Sequence, residues 1–178
     1  MKNKIYYLLL FFIISFSPAL SQWEETNYED LNYDMINCIV AKDSLLFVGT
    51  VYTGIYLSTN NGDNWKKINT GLARKPINSI TISADKMFAG TFGNGVYLST
   101  DNGQHWISPN GGQTNVFISS IAIDGDNIFA GTVNKGVYKT TNDGNEWQDI
   151  TQGINPEINV VAEERQSKDF CRRKCCIS

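Results

Sequence analysis

The sequence has one histidine and few cysteines that could pair along the chain, and these shortages exclude several kinds of site. His105 is the only histidine in 178 residues, and a lone histidine makes neither a metal centre nor a catalytic triad. Of four cysteines, Cys171, Cys175 and Cys176 crowd into the last eight residues. A disulfide framework would spread paired cysteines along the chain. We therefore expect packing, and not cross-links, to stabilise the fold.

Basic stripes and helical periodicity are absent as well. The formal net charge is −3, and the lysines and arginines form no stripe of the kind that binds nucleic acid. No basic amphipathic segment indicates a membrane surface. Between residue 22 and Pro156 the apolar residues do not recur at helical spacing. We expect an all-β protein whose partner is neither nucleic acid nor membrane.

The first 21 residues have the pattern of a secretory signal peptide. Lys2 and Lys4 precede an apolar run from residue 5 to residue 16, and small residues at Ala19 and Ser21 precede Gln22. The run is short for a membrane span, although an uncleaved anchor is the alternative. No cysteine lies at the cleavage point to support a lipoprotein anchor. The sequence predicts a secreted, periplasmic or cell-surface protein, with no membrane insertion after cleavage.

What the chain does contain is an internal repeat. Similar units begin at Ile36, Ile77 and Ile118, which are 41 residues apart, and a further unit begins at Ile158. A period of about 40–45 residues is typical of propeller blades with four strands each. We assign the repeat region to 36–162, with units at 36–76, 77–117 and 118–157 and the start of the next at 158.

Each unit can be divided into four strands. In the third unit, residues 118–123 alternate apolar and small polar side chains, and 128–133 form a mostly apolar run. A hairpin signal at Asn134-Lys135-Gly136 leads into 137–141, and 147–150 completes the unit. The sequence therefore predicts a partial β-propeller of about three four-stranded antiparallel blades.

One octet recurs between the third and fourth strands. It reads STNNGDNW at 58–65, STDNGQHW at 99–106 and TTNDGNEW at 140–147. Its first and third side chains can brace a turn by hydrogen-bonding nearby amides. Its glycine suits positive φ, and its tryptophan can anchor the next strand. The predicted bracing residues are Ser58, Asn60, Gly62, Trp65, Ser99, Asp101, Gly103, Trp106, Thr140, Asn142, Gly144 and Trp147.

The octet resembles the Asp-box, or BNR repeat, of sialidase-like, sortilin-like and photosystem II assembly factor-like propellers. The resemblance covers residues 36–157, and two copies carry Asn in place of Asp. It implies that the octet joins the third and fourth strands of a blade and has a structural role. It also implies a secreted bacterial protein, here a truncated one.

Both ends of the repeat region look incomplete. Trp23 has the spacing of an octet tryptophan, so 22–35 is predicted to hold an orphan outer strand and a linker. Residues 163–178 lack the repeat pattern. A one-base shift can turn the codons of 169–173 into Ile-Phe-Ala-Gly-Gly, which resembles the second-strand motif, so we expect a frameshift; a natural short tail is the alternative. Open blades would also favour self-association.

The three arginines by which sialidases bind their substrate cannot be assembled from this sequence. Sialidases bind the substrate carboxylate with three arginines, whereas Arg74 is the only arginine outside the tail. Asp124 and Asp126 resemble the start of a calcium loop, but Lys135 stands where the completing glutamate belongs. We predict no catalytic residue, no metal and no cofactor. A glycoside hydrolase in a full-length form is the residual alternative.

Binding is expected on loops whose residues differ between the units, since such loops are held by a rigid scaffold. The candidates are Tyr52, Phe92, Asn94, Asn134 and Lys135. The sequence thus predicts a secreted, non-catalytic module that binds or scaffolds an extracytoplasmic protein or glycan. The alternatives are a fragment of a sialidase-like enzyme and the sensor ectodomain of a larger signalling protein.

Overall fold

The structure, a computed structural model, describes residues 34–72, 74, 76–109 and 116–153. Within these residues every regular element is a strand. The strands are β1 Ile36–Lys42, β2 Leu45–Thr50, β3 Ile55–Ser58, β4 Lys66–Lys67, β5 Ile77–Ser83, β6 Lys86–Thr91, β7 Val96–Ser99, β8 Ile118–Asp124, β9 Asn127–Thr132, β10 Gly136–Thr140 and β11 Gln148–Asp149. No helix in this part of the chain is long and apolar enough to cross a membrane.

The strands form three antiparallel sheets in sequence order. The orders are β1-β2-β3-β4, β5-β6-β7 and β8-β9-β10-β11. In the third unit, every strand boundary agrees with the sequence prediction to within one residue. The three sheets are successive blades, so the all-β fold and the partial propeller are confirmed.

The repeat extends to an irregularity of the backbone. In each blade the register shifts near the start of the first strand, between Ile36 and Cys38, between Ile77 and Ser79, and between Ile118 and Ser120. A bulge at one fixed position bends the innermost strand in the same way each time. The first strands of the three blades are therefore equivalent at this position.

The second blade differs from the other two at its outer edge. Its outer segment makes only a single bridge, in which Ile107 and Leu98 exchange their main-chain bonds at 2.8 and 2.9 Å. In the outer blades the ladder continues when Ile68 donates to Ile55 and Ile150 donates to Val137, each at 3.0 Å. Pro109 has the equivalent repeat position and no N–H to donate. The predicted fourth strand is reduced here for that reason.

The hydrophobic core lies between the blades. One cluster joins the first and second blades through Phe47, Ile55, Ile68, Ile77, Ile80, Met87, Ala89, Tyr97 and Trp106. Another joins the second and third through Phe88, Val96, Leu98, Ile118, Ile121, Ile123, Ile128 and Ala130. Middle strands are apolar because both of their faces are covered, which explains the runs LLFVGT, KMFAGT and NIFAGT.

Several predictions from the sequence lie outside the described residues. These are the signal peptide at 1–21, most of the orphan strand segment at 22–35 including Trp23, the unit that begins at Ile158, and the tail at 163–178.

Candidate binding surface

The hairpins between the second and third strands of each blade lie at one end of the molecule. They comprise residues 51–54, 92–95 and 133–135, and the main chain entering each first strand adjoins them. Neighbouring blades repeat the same contact, because Ile77 packs on Gly49 as Ile118 packs on Gly90. We call these hairpins and the adjoining residues 34–35, 76 and 116–117 the hairpin surface.

All five candidate binding residues lie on this hairpin surface. Tyr52, Phe92, Asn134 and Lys135 are exposed, and Asn94 is half-buried. Tyr52 and Phe92 are the large apolar side chains among them, and they remain 68% and 45% exposed. The Phe92 ring packs on the ring of Phe117, with centroids 4.3 Å apart and a tilt of 37°. An exposed aromatic surface is thus present on the hairpins.

A buried threonine fixes each hairpin from below. Thr50 donates its hydroxyl to the carbonyl of Gly54 at 2.9 Å. Thr91 bonds Gly95 and Thr132 bonds Gly136 in the same way, each at 2.8 Å. All three threonines are at most 1% exposed. Because a buried hydroxyl without a partner is costly, these bonds hold the hairpin backbone in one conformation.

Asp34 braces the first hairpin from the side. Its carboxylate accepts the main-chain N–H groups of Tyr52 and Thr53 and the Thr53 hydroxyl, the last two at 2.6 Å. Burial alone would raise the pKa of Asp34, but the hydrogen bonds from Thr53, Thr50 and Tyr52 outweigh it and lower the pKa. The carboxylate therefore stays ionised and holds Tyr52 at the surface.

The other two hairpins are tied to the chain that enters the third blade. Gly93 and Gly95 both donate their N–H groups to the carbonyl of Val116, at 3.2 and 3.1 Å. Val133 donates to the carbonyl of Phe117 at 2.9 Å. The second and third hairpins are thus linked through one short segment, which fixes their backbones relative to each other.

The octet turns, at 58–65, 99–106 and 140–147, lie at the opposite end of the strands. In the first, Ser58 donates to Asn60 Oδ1 at 3.0 Å and accepts the N–H of Gly62 at 2.8 Å. Asn60 Oδ1 also accepts the N–H of Asn64 at 3.0 Å. The same bonds connect Ser99, Asp101, Gly103 and His105, and Thr140, Asn142, Gly144 and Glu146.

Two successive residues of each octet turn adopt positive φ. The glycines Gly62, Gly103 and Gly144 have φ of 99°, 82° and 88°, as the sequence predicts. The residues before them are also left-handed, at φ 57°, 55° and 59° for Asn61, Asn102 and Asp143. Asn and Asp tolerate this conformation better than other residues with a side chain.

The tryptophans that end the octets are not buried equally. Trp106 is 2% exposed and donates its indole N–H to the carbonyl of Ile68 at 2.9 Å, across the boundary between two blades. Trp65 and Trp147 are half-buried. Trp106 alone belongs to the cluster between the first and second blades.

The acidic and basic side chains considered for a metal or substrate site, Asp124, Asp126 and Arg74, lie on exposed turns and linkers. Among the described residues, no three His, Cys, Asp or Glu side chains lie close enough together to hold a metal ion. Asp124 and Asp126 are exposed on the turn between β8 and β9, at the rim of an open cleft of about 840 Å³. On the same rim, Asp143 is paired with Lys86 at 2.6 Å. Arg74 is exposed on the linker after the first blade.

Sequence reasoning missed three features of the hairpin surface. The second strand of each blade ends in Gly-Thr, and this repeated dipeptide was the available signal for the buried threonines Thr50, Thr91 and Thr132. The brace from Asp34 and the packing of Phe117 on Phe92 gave no signal, because each joins residues distant in sequence. Contacts of this kind appear only when the chain is folded.

Solved structures with a similar fold include two enzymes and an extracellular domain. An ancestral GH74 enzyme is 25% identical over 65% of this chain and 18% of its own, with a TM-score of 0.53. The extracellular domain of the one-component system BT4673 from B. thetaiotaomicron is 23% identical over 67% and 18%, with a TM-score of 0.55. The GH74 enzyme of Niastella koreensis is 20% identical over 66% and 21%, with a TM-score of 0.52.

The chain spans about a fifth of the length of these structures. Likenesses below 25% identity show the fold alone. No curated protein matches the chain. A family model does match, over residues 18–161, and it covers all three blades. The chain therefore belongs to the family described as the DUF6242 beta propeller domain.

Proposed function

We propose that this propeller is an exported, non-catalytic binding module whose partner is an extracytoplasmic protein or glycan. The observation that supports this most directly is the pair of exposed aromatic side chains, Tyr52 and Phe92, on hairpins that buried threonines brace. Aromatic side chains on a fixed backbone give large contact area at a low entropic cost. A sugar ring or an apolar protein side chain can pack against them.

The residues beside these aromatics add polar contacts. Asn94, Asn134 and Lys135 offer amide groups and an ammonium group at the same end of the molecule. Neutral and cationic donors suit hydroxyl, carbonyl or carboxylate groups on a partner. The ion pair and the acidic turns at the octet end are remote from this surface.

We further propose that the octet turns are Asp-boxes with a structural role. Their polar side chains are satisfied within each turn, as when Ser99 and Asp101 bond each other and the amides of Gly103 and His105. Side chains engaged in this way brace a corner of the blade. They contribute to the scaffold and not to ligand contact.

The binding experiment compares the exported chain with variants. Screening on a glycan array and against surface proteins of the source cell identifies a ligand, and titration calorimetry measures its dissociation constant. The double variant Tyr52→Ala/Phe92→Ala should weaken binding at least about tenfold, since aromatic anchors are typical hot spots. Ile107→Ala is the matched control, because Ile107 is an exposed apolar residue elsewhere. Equal affinity of the double variant and the wild type would contradict the proposal.

Export itself is tested on the same preparation. The apolar run after Lys2 and Lys4 and the small residues at Ala19 and Ser21 motivate cleavage before Gln22. We expect N-terminal sequencing of the protein outside the cytoplasm to begin at Gln22. Retention of the chain in the cytoplasm, or an intact N-terminus in the membrane fraction, would contradict it.

A second candidate is that the chain is part of a longer carbohydrate-active enzyme. The 25% identity to an ancestral GH74 enzyme favours this reading. A fresh DNA read through codons 155–178 and about two kilobases beyond distinguishes the two. A restored frame with paired carboxylates or an arginine triad would support the enzyme, because such groups act together in glycoside hydrolysis. A downstream transmembrane segment would indicate a sensor ectodomain.

A further inference from the structure

The contact between neighbouring blades is the same at both boundaries. An isoleucine of one blade packs on a glycine in the second strand of the blade before it, and we call this contact the seam. A Cβ placed on Gly49 would lie 2.6 Å from Ile77 Cγ2, and one on Gly90 would lie 2.5 Å from Ile118 Cγ2. Ile77 and Ile118 are at most 2% exposed. The seam therefore needs a glycine on one side and a branched apolar side chain on the other.

A second isoleucine, three residues after the first, completes the apolar part of each seam. Ile80 lies in the same hydrophobic cluster as Phe47, and Ile121 lies in the same cluster as Phe88. Both isoleucines are at most 8% exposed, and both phenylalanines are at most 1% exposed. Each seam thus sets two apolar side chains of an innermost strand against a glycine and a phenylalanine of a middle strand.

The second seam also has a polar edge along the innermost strands. Asn78 donates to the carbonyl of Ile118 at 2.8 Å, and Thr81 donates to that of Ile121 at 2.9 Å. Ile121 in turn donates its N–H to the Ser79 hydroxyl at 3.1 Å. Directional bonds of this kind set the register of one blade on the next.

The third blade presents the same glycine and phenylalanine to whatever follows it. Gly131 and Phe129 have the places of Gly90 and Phe88 in the ladder between the second and third strands. Gly131 is buried, although no further blade follows the third among the described residues. A glycine has no side chain to shield its own backbone, so this burial favours a covered face. Phe129 is half-buried.

The sequence after the third blade contains a segment that fits this face. Ile158 and Val161 are three positions apart, as the paired isoleucines of the two seams are. The family match extends to Val161, which includes this segment in the propeller domain. Five residues of extended chain from Gly153 to Ile158 reach about 17 Å. That is enough to cross to a neighbouring sheet about 10 Å away.

We propose that residues 158–161 form an innermost strand seated on the third blade, with Ile158 on Gly131 and Val161 on Phe129. The occupant is this segment of the chain because continuity with two internal seams specifies both its side chains and its register. Val161 is one methylene smaller than the isoleucines at its position in the seams, which agrees with the partial exposure of Phe129. The third blade is then sealed within a single chain.

A designed disulfide tests this contact in the full chain. The four native cysteines are first replaced by serine, the residue that Ser79 already provides at the repeat position of Cys38. Gly131→Cys/Ile158→Cys is then oxidised with glutathione disulfide under native conditions, and intact mass with peptide mapping measures the cross-linked fraction. In the internal seams a Cβ on the glycine would lie 3.0 and 3.1 Å from the isoleucine Cβ. A small widening therefore gives the roughly 3.5–4.5 Å that a disulfide needs.

Two further cysteine pairs control the experiment. Gly90→Cys/Ile118→Cys should cross-link, because that seam is described directly. Gly131→Cys/Asn159→Cys should not, since Asn78, at the same repeat position as residue 159, reaches the following blade instead. We expect the test pair to cross-link within one chain as completely as the first control. A test pair that stays reduced while the first control oxidises would overturn the proposal, and so would cross-links between chains, since a second copy would then occupy the face.

Two adjacent valines supply a matched comparison of stability. Val161→Asp places a charge in the proposed seam and should lower the urea midpoint of unfolding, because a buried charge without a partner is costly. Val160 has the repeat position of Ser79, whose hydroxyl faces the following blade, so Val160→Asp should keep the midpoint of the wild type. Circular dichroism checks the fold of both variants. Equal midpoints would contradict the proposed register, since neighbouring residues of a strand face opposite sides.

Discussion

Trp106 of the second blade donates its indole N–H to the main-chain carbonyl of Ile68 in the first blade, at 2.9 Å. The main-chain N–H of Trp106 donates to the carbonyl of Thr70, which, like Ile68, belongs to the first repeat unit, at 2.8 Å. Trp106 therefore ends an octet turn and also packs in the hydrophobic cluster between the first and second blades. The other two octet tryptophans are less enclosed.

Replacing Trp106 with alanine should lower the free energy of unfolding by about 3–5 kcal/mol, because a large buried side chain is removed and the Ile68 carbonyl loses its donor. Chemical denaturation of the purified chain measures the change. Trp147→Ala is the control and should cost less, since Trp147 is half-buried. A loss under about 1 kcal/mol for Trp106→Ala would mean that the side chain is not buried as described.

Gly71→Ala should destabilise the chain more than Gly153→Ala. The two glycines have the same repeat position and nearly the same φ, 84° and 83°. A Cβ on Gly71 would collide with the main-chain oxygen of Trp106, whereas one on Gly153 would meet nothing within 4 Å. Positive φ alone costs alanine about 1–2 kcal/mol, and the clash should add about 1–3 kcal/mol at Gly71. Equal melting temperatures for the two variants would exclude a close contact between Gly71 and Trp106.

Asp101 should titrate well below an ordinary aspartate. The main-chain N–H of His105 bonds its carboxylate at 2.9 Å, and the His105 ring adds a bond at 2.6 Å. These bonds lower the pKa of Asp101 from 3.8 to about 2. Because the folded pKa is depressed, the contribution of Asp101 to stability is present above pH 3.8 and is lost as the pH falls from 3.8 through about 2.

Carbon-detected NMR of the Asp101 carboxyl group measures this titration directly. The variant Asp101→Asn should remove that part of the acid dependence while keeping the turn, as Asn60 and Asn142 do in the other two octets. His105→Asn should move the pKa of Asp101 upward, since the ring bond is lost. An Asp101 pKa near 4 in the wild type would contradict the described turn.

The Cys38 thiol should resist alkylation in the folded chain. Burial raises the pKa of Cys38 to about 11, although the amides of Gly49 and Ile80 oppose the shift. Since the thiolate is the reactive species, iodoacetamide at pH 8 should modify Cys38 slowly until denaturant is added. The three tail cysteines are replaced by serine so that mass spectrometry reports Cys38 alone. Rapid modification without denaturant would show that the Cys38 thiol is accessible in the folded chain.

The fold could be predicted because the repeat displays each strand three times. The hairpin signal at residues 134–136 and the alternation at 118–123 gave the third blade to within one residue. The octet gave a turn braced by Ser99 and Asp101, because the donors and acceptors are close in sequence. Hydrogen bonds between residues close in sequence can be predicted in this way without knowing which other strands pack against them.

What could not be predicted depends on neighbours distant in sequence. Ile39 is 64% exposed and Ile80 is 8% exposed, although the repeat pattern is the same for both. The brace from Asp34 to Thr53 spans 19 residues. The unequal burial of Trp65, Trp106 and Trp147 has the same origin, since the octets are alike and their surroundings are not.

Because Pro109 has no N–H to donate, the outer edge of the second blade has fewer main-chain hydrogen bonds than the outer edges of the flanking blades. Apart from the bridge between Ile107 and Leu98, no main-chain hydrogen bond joins the described residues of this outer edge to the rest of the sheet. Amide hydrogens there should exchange with solvent faster than those of Ile68 and Ile150, which donate to the adjacent strand in the flanking blades. A protease should cut first at this edge, and a peptide tag inserted after Pro109 should leave the packing between the blades undisturbed.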